Sequence, residues 1–183
     1  YLEKLLALWS SKVYERDKLP QQKDFYKNNI VKADVRTVVI ISDALRYEVG
    51  YEISQKLRKE ANVKEIKIEA MLTDLPSRTF LGMANLLPCK KERDIDLVSA
   101  KVLIDGIDSQ GTENREKILK TSCEESSAIS FDNFYKMNRA KQEEFIKGKK
   151  VIYIYHDSID VIGDKGKTEN NTFNACKDAV ENI

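Results

Sequence analysis

Three short polar clusters hold most of the residue types with which this sequence could do chemistry. Ser42-Asp43, with Arg46 three residues on, closes the apolar run Val38 to Ile41. Ser77 and Thr79 stand in the stretch LPSRTF, ahead of another apolar run. His156-Asp157, followed by Asp160 and Asp164, closes the run Val151 to Tyr155, and His156 is the only histidine in the chain. Carboxylates and an imidazole are ligands for a divalent metal. A bound metal lowers the pKa of a hydroxyl and neutralises phosphate oxygens. A hydroxyl side chain at a helix start is a nucleophile in reach of backbone N–H groups that favour an anion. The inventory suits metal-assisted phosphoryl chemistry.

Each cluster also has a plainer reading. Asp43, Ser77 and Thr79 are all residue types that cap helices. A lone histidine at a strand end is commonly a hydrogen-bonded structural residue, and Asp157, Asp160 and Asp164 could be solvated loop carboxylates. Tyr47, Tyr153 and Tyr155 read as packing residues. The chemical reading gains weight because the clusters recur at equivalent places, the carboxyl ends of strands, where open α/β sheets bind ligands.

The elements that must position these clusters follow from periodicity. Leu2, Leu5, Leu6, Leu8, Trp9 and Val13 have helical spacing, so a helix is expected from Tyr1 to about Glu15, and a second short one over 21–29. Residues 1–35 form a helical lead-in, and 36–183 the α/β domain. Arg36 to Ser42 predicts a strand covered on both faces, and Leu45, Val49, Ile53 and Leu57 predict a helix over 44–60. Lys64 to Leu72 alternates and predicts a second strand. A short helix is expected from Thr79 to Leu87, a strand over 101–104 with a turn at Asp105-Gly106, and helices over 112–120 and 132–147. A strand from Val151 to Tyr155 and a helix from about Asn171 complete the pattern. Strands alternating with helices predict an α/β fold with a mostly parallel central sheet flanked by helices.

Composition narrows the function classes. With 31 Lys and Arg against 30 Asp and Glu, the formal net charge is +1, so bulk charge gives no argument for nucleic-acid binding. A basic patch of Lys64, Lys67, Lys90, Lys91 and Arg93 is conceivable, but a solvated face is the simpler reading. Cys89, Cys123 and Cys176 fit no zinc or redox spacing, which predicts a reduced, cytoplasmic protein. No apolar run approaches the ~20 residues of a membrane helix. The sequon at Asn170 is discounted. No G-x-G-x-x-G follows either strong strand, and no G-x-x-x-x-G-K-[ST] occurs. DIDL at Asp94 follows KKER rather than a buried strand. The segment from Asp160 fails as a calcium loop because Ile162 and Asn171 fall where ligands are required. The chain begins without methionine and reads as a fragment of a longer protein.

The segments VVIISDALRYEV, LPSRTFLGMANLLP and VIYIYHDSIDVIGD resemble the signature segments of the PglZ family of bacterial BREX phage-defence systems, within the alkaline phosphatase superfamily. The resemblance runs from about Arg36 to Ile183. It implies an alkaline-phosphatase-like fold, here truncated on its C-terminal side, and a site with two divalent metals, typically zinc, in the full-length parent. It implies a metal-ligand role for Asp43, with His156 and Asp160 as a later pair in an order that departs from the usual Asp-x-x-x-His. It implies Thr79 as nucleophile with Ser77 as second choice, and Arg46 as a holder of a phosphate oxygen. A further Asp-His pair usual in the superfamily is not found, so this chain is expected to bind metal weakly or not at all.

The expected function is therefore a metal-dependent phosphatase or phosphodiesterase, bacterial and cytoplasmic, acting on a phosphoester or DNA. Its expected partners are other components of the defence complex, with no membrane. The alternative is a catalytically weak scaffold that assembles that complex. A receiver-like domain using Asp43 as acceptor would leave LPSRTFLGMANLLP unexplained.

Overall fold

The computed structural model describes residues 2–11, 19–165 and 171–183. Val13 and the end of the expected first helix, and Asn170, lie outside the described residues. In chain order the elements begin with α1 (Leu2–Ser11), a 3-10 turn (Gln22–Asp24) and a π-helical turn (Tyr26–Ile30). There follow β1 (Thr37–Ser42), α2 (Tyr47–Leu57), α3 (Thr79–Asn85), β2 (Arg93–Asp96), β3 (Lys101–Ile104) and β4 (Ile107–Asp108). The rest comprises α4 (Thr112–Ser122), β5 (Ser126–Ser130), α5 (Phe131–Tyr135), α6 (Arg139–Ile146), β6 (Val151–His156), α7 (Ser158–Asp164) and α8 (Thr172–Asn182). The chain divides into two compact units: residues 1–32 with 69–109, and residues 33–68 with 110–183.

The second unit is α/β, as the periodicity predicts. Its sheet is parallel, in the order β1-β6-β5, and helices flank it. The centre is β6, whose six residues are all buried. Its run of β-branched and aromatic side chains is what a strand with neighbours on both edges and cover on both faces requires. Register is in step: Thr37 pairs with Val151 and Ser42 with His156. Side chains alternate faces along each strand. On one face Ile152 and Ile154 join Ile129 under Phe131, Phe134, Met137, Phe145 and Ile146 of the α5–α6 region. Tyr153 and Tyr155 belong to the opposite face. Elsewhere in this unit α8 packs against α7 and α2, around Ile159, Ala175, Ala179 and Leu45.

The first unit holds α3 and the antiparallel meander β2-β3-β4. Asp105 and Gly106 form its two-residue hairpin turn, both at positive φ (50° and 82°), which suits an Asp-Gly type I′ connection. The Asp105 carboxylate accepts the N–H groups of Lys90, Lys91 and Glu92 at 2.9, 2.9 and 3.1 Å. These bonds hold its pKa below the usual carboxylate value against a partial desolvation.

Several expectations are corrected. Residues 64–70 form no strand; Leu72 makes only an isolated bridge to Gln21. Alternation marks a two-faced segment, but a strand also needs a partner's N–H and C=O groups, and residues 64–70 find none in regular register. Among the described residues β1 is an edge strand rather than one covered on both faces, and Val38 and Ile40 remain 50% and 40% exposed. The expected helix over 132–147 is two helices. Asn138 starts the second by accepting the Lys141 N–H at 3.0 Å, as a strong N-cap residue does. β5 was not expected: three serines disguise it, and Ser126 and Ser127 are buried.

Candidate active site

The second unit brings Asp43, Arg46, His156 and Asp160 onto or beside the carboxyl ends of β1 and β6, while Ser77 and Thr79 belong to the first unit. At the end of β1, the Asp43 N–H donates to the His156 carbonyl at 2.8 Å, extending the ladder by one residue. The chain then turns sharply through Ala44, at φ 59°. A left-handed conformation is uncommon for a residue with a Cβ. The Asp43 Oδ1 accepts the Ala44 N–H at 3.0 Å, which supports the turn.

Asp43 does not cap the following helix. That helix, α2, opens at Tyr47 with Arg46 as its N-cap residue, and no side chain makes the cap bond. The capping explanation for the carboxylate at position 43 therefore fails. Burial is the main cause holding the Asp43 pKa above its ordinary value. The Asp160 and Asp157 carboxylates add to it, while the Ala44 N–H and the Arg115 charge draw it down. Asp157 immediately precedes α7 and Asp160 lies in its first turn. Two further carboxylates of this unit thus act on Asp43, at the place where two parallel strands end.

His156 is buried, 4% exposed. Its Nδ1 meets the Ser42 Oγ at 2.8 Å, and its Nε2 meets the Ser158 Oγ. Phe131 packs edge-on at 4.9 Å between ring centroids. A serine hydroxyl can donate or accept, so the pair satisfies either neutral tautomer. Burial lowers the His156 pKa, partly opposed by Asp157 and Asp132. Strand alternation puts Ser42 and His156 on one face and Ile41 and Tyr155 on the other. A ligand role for His156 would require a metal to displace one serine from the ring. Among the described residues, no three His, Cys, Asp or Glu side chains are arranged to hold a metal.

Arg115 is the site residue that the sequence reading passed over. Its guanidinium lies 4.5 Å over the Tyr155 ring, and its charge reaches Asp43. Arg46, the arginine favoured from sequence, is exposed. A signal existed: Arg115 stands three and four residues before Ile118 and Leu119, both buried. An arginine on the inner face of an amphipathic helix is a marked exception to the pattern.

In the first unit, Thr79 is the first residue of α3 and Arg78 is its N-cap residue; no side chain makes the cap bond. Ser77 and Thr79 are exposed and neither caps the helix. LPSRTFLGMANLLP then buries Leu81, Ala84 and Leu87, so its apolar half is a packing face and its polar half is left in solvent.

Comparison with known proteins decides what this arrangement is related to. Residues 25–183 match the model of the BREX system PglZ alkaline phosphatase-like domain. This chain belongs to the PglZ family. It is 40% identical over 168 residues to the alkaline phosphatase-like protein PglZ of Bacillus cereus (strain H3081.97), covering 90% of this chain and 19% of that protein. It is 34% identical over 201 residues to the alkaline phosphatase-like protein BrxZ of Escherichia coli O9:H4 (strain HS), covering 100% of this chain and 22% of that one. The chain thus spans about a fifth of the length of these curated relatives. No solved structure matches it significantly. The PglZ match takes in β1, α3 and β6 and all three polar clusters. No helix among the described residues is long and apolar enough to cross a membrane.

Proposed function

We propose that the parent of this PglZ-family chain is a metal-dependent phosphoric ester hydrolase, acting on a phosphoester or DNA within a bacterial defence complex in the cytoplasm. The observation that carries the reading is Asp43: a partly buried carboxylate at a strand end, spared from capping, set just before a strained turn and crowded by Asp157 and Asp160. Such crowding costs stability in the free chain and is relieved by a cation. A divalent metal, zinc in the typical case and two ions in the full-length parent, would polarise the phosphoryl group when bound. Asp43 and Asp160 are the residues proposed to hold it; His156 joins them only if a serine leaves its ring. This chain by itself is proposed to bind metal weakly. The family resemblance supports attack on phosphorus by Thr79, with Ser77 as second choice.

Hydrolysis of an aryl phosphodiester by the full-length parent tests the proposal. Loss of activity in Thr79→Ala and in Asp43→Asn, with Ser77→Ala active, is the expected result. Activity retained in Asp43→Asn would end the metal role of that residue. A second reading, a scaffold that assembles the complex, is favoured by the serine-sealed His156 ring. It predicts a folded, metal-supplied parent with no hydrolysis.

A further inference from the structure

Tyr155 is 7% exposed, and its Oη is a buried polar atom with no hydrogen-bond partner among the described residues. Buried hydroxyls are seldom left so, because losing water without a replacement is unfavourable. The phenol sits one residue before the end of β6, paired in register with Ile41 on the strand that leads into Asp43. Over its ring, at 4.5 Å, lies the half-buried guanidinium of Arg115. A cation resting on an aromatic face is stabilised by the ring and loses less freedom when its N–H groups take up a further partner. The same guanidinium reaches Asp43 electrostatically. A buried phenol O–H with no acceptor and the arginine fork lying on its ring therefore stand together near the end of β6, with Asp43 within electrostatic reach of the guanidinium.

We infer that Arg115 and Tyr155 form an anion subsite for a phosphoryl oxygen beside Asp43. This rests on the proposed phosphoryl chemistry and names the residues that would receive its anionic group. Both groups are donors, so the occupant is an acceptor: an oxyanion rather than a cation. An ordinary phenol keeps its proton at neutral pH, so Tyr155 is a donor. Arginine fits the task because its planar fork offers two parallel N–H groups to one tetrahedral anion, where lysine offers a point charge. Arg46, exposed at the start of α2, has no such platform.

The test uses the full-length parent and inorganic phosphate as the probe. Thermal unfolding is followed across a phosphate titration for wild type, Arg115→Lys, Arg115→Ala and Tyr155→Phe. Arg115→Ala is expected to weaken phosphate binding by about tenfold or more, the loss of one charge-assisted contact. Arg115→Lys is expected to fall between it and wild type, and Tyr155→Phe to weaken binding severalfold with the ring and fold retained. A variant that melts lower without phosphate but gains the same increment on adding it would assign these residues a structural role and overturn the subsite. So would a wild type that phosphate does not stabilise. Hydrolysis is assayed in parallel with Thr79→Ala. If that variant stays active while Arg115→Ala loses phosphate, the nucleophile assignment fails and the subsite stands. If Thr79→Ala is dead while all four proteins bind phosphate alike, the hydrolase reading stands and the subsite fails.

Discussion

The Ser42 Oγ lies 2.8 Å from the His156 Nδ1, across two parallel strands whose register pairs the same two residues. With Ser158 on the other nitrogen, the ring ties the end of β1 to the start of α7, the segment that carries Asp157 and Asp160. Replacing either serine with alanine leaves a buried ring nitrogen unpaired. Ser42→Ala and Ser158→Ala are each expected to lower stability by about 1–3 kcal/mol, read by urea unfolding. Unchanged midpoints for both would show that the ring needs neither bond.

Asp43 is expected to trade stability for function. Its charged form is disfavoured by burial and by two neighbouring carboxylates. Asp43→Asn keeps the shape, can still accept the Ala44 N–H and removes the repulsion. A rise in melting temperature of a few degrees without metal is expected, of order 1 kcal/mol, together with loss of hydrolysis in the full-length protein. A variant that melts lower than wild type would mean that the carboxylate is structural.

The turn at Ala44 makes a backbone prediction. At φ 59° a Cβ is tolerated at a cost of roughly 1–2 kcal/mol, and glycine removes that cost while loosening the unfolded chain. Ala44→Gly should therefore lie within about 1 kcal/mol of wild type, and Ala44→Val should destabilise by more than that. Equal unfolding midpoints for the two variants would refute the strained elbow.

Asp105 gives a pH dependence of definite sign. Its folded pKa is depressed because three backbone N–H groups point at its carboxylate. The unfolded chain therefore takes up a proton first as pH falls. The stabilisation is complete above the ordinary value of 3.8 and is lost as pH drops through the folded value below it. Asp105→Asn, which accepts the same positive φ but has one acceptor oxygen, should cost on the order of 1 kcal/mol at neutral pH. Its stability should fall less steeply than wild type between pH 4 and 2 in thermal melts. Parallel curves would show that the three bonds contribute nothing.

Local periodicity made β1, β6 and the helices α2, α3, α4 and α8 legible because each such element displays its own pattern of apolar side chains; α7, read as solvated loop carboxylates, was not among them. It failed where pattern and pairing part company. Lys64 to Leu72 alternates well yet finds no ladder for residues 64–70, whereas the Ser-rich β5 forms one because β6 supplies the partner groups. The break before α6 came from a single capping residue, Asn138, within an otherwise helical stretch.

For the site, the sequence by itself determined which chemical groups end the two strands: Ser42 and Asp43, His156 and Asp157. It did so because the apolar runs that form β1 and β6 give out at those residues. It also carried the PglZ motifs by which the family is recognised. Tertiary structure decided the rest, since which side chains meet depends on register and on which helix covers which face. Parallel pairing put Ser42, and not Asp43, against His156. The packing of α4 brought Arg115 over Tyr155, a contact spanning 40 residues that no local spacing encodes.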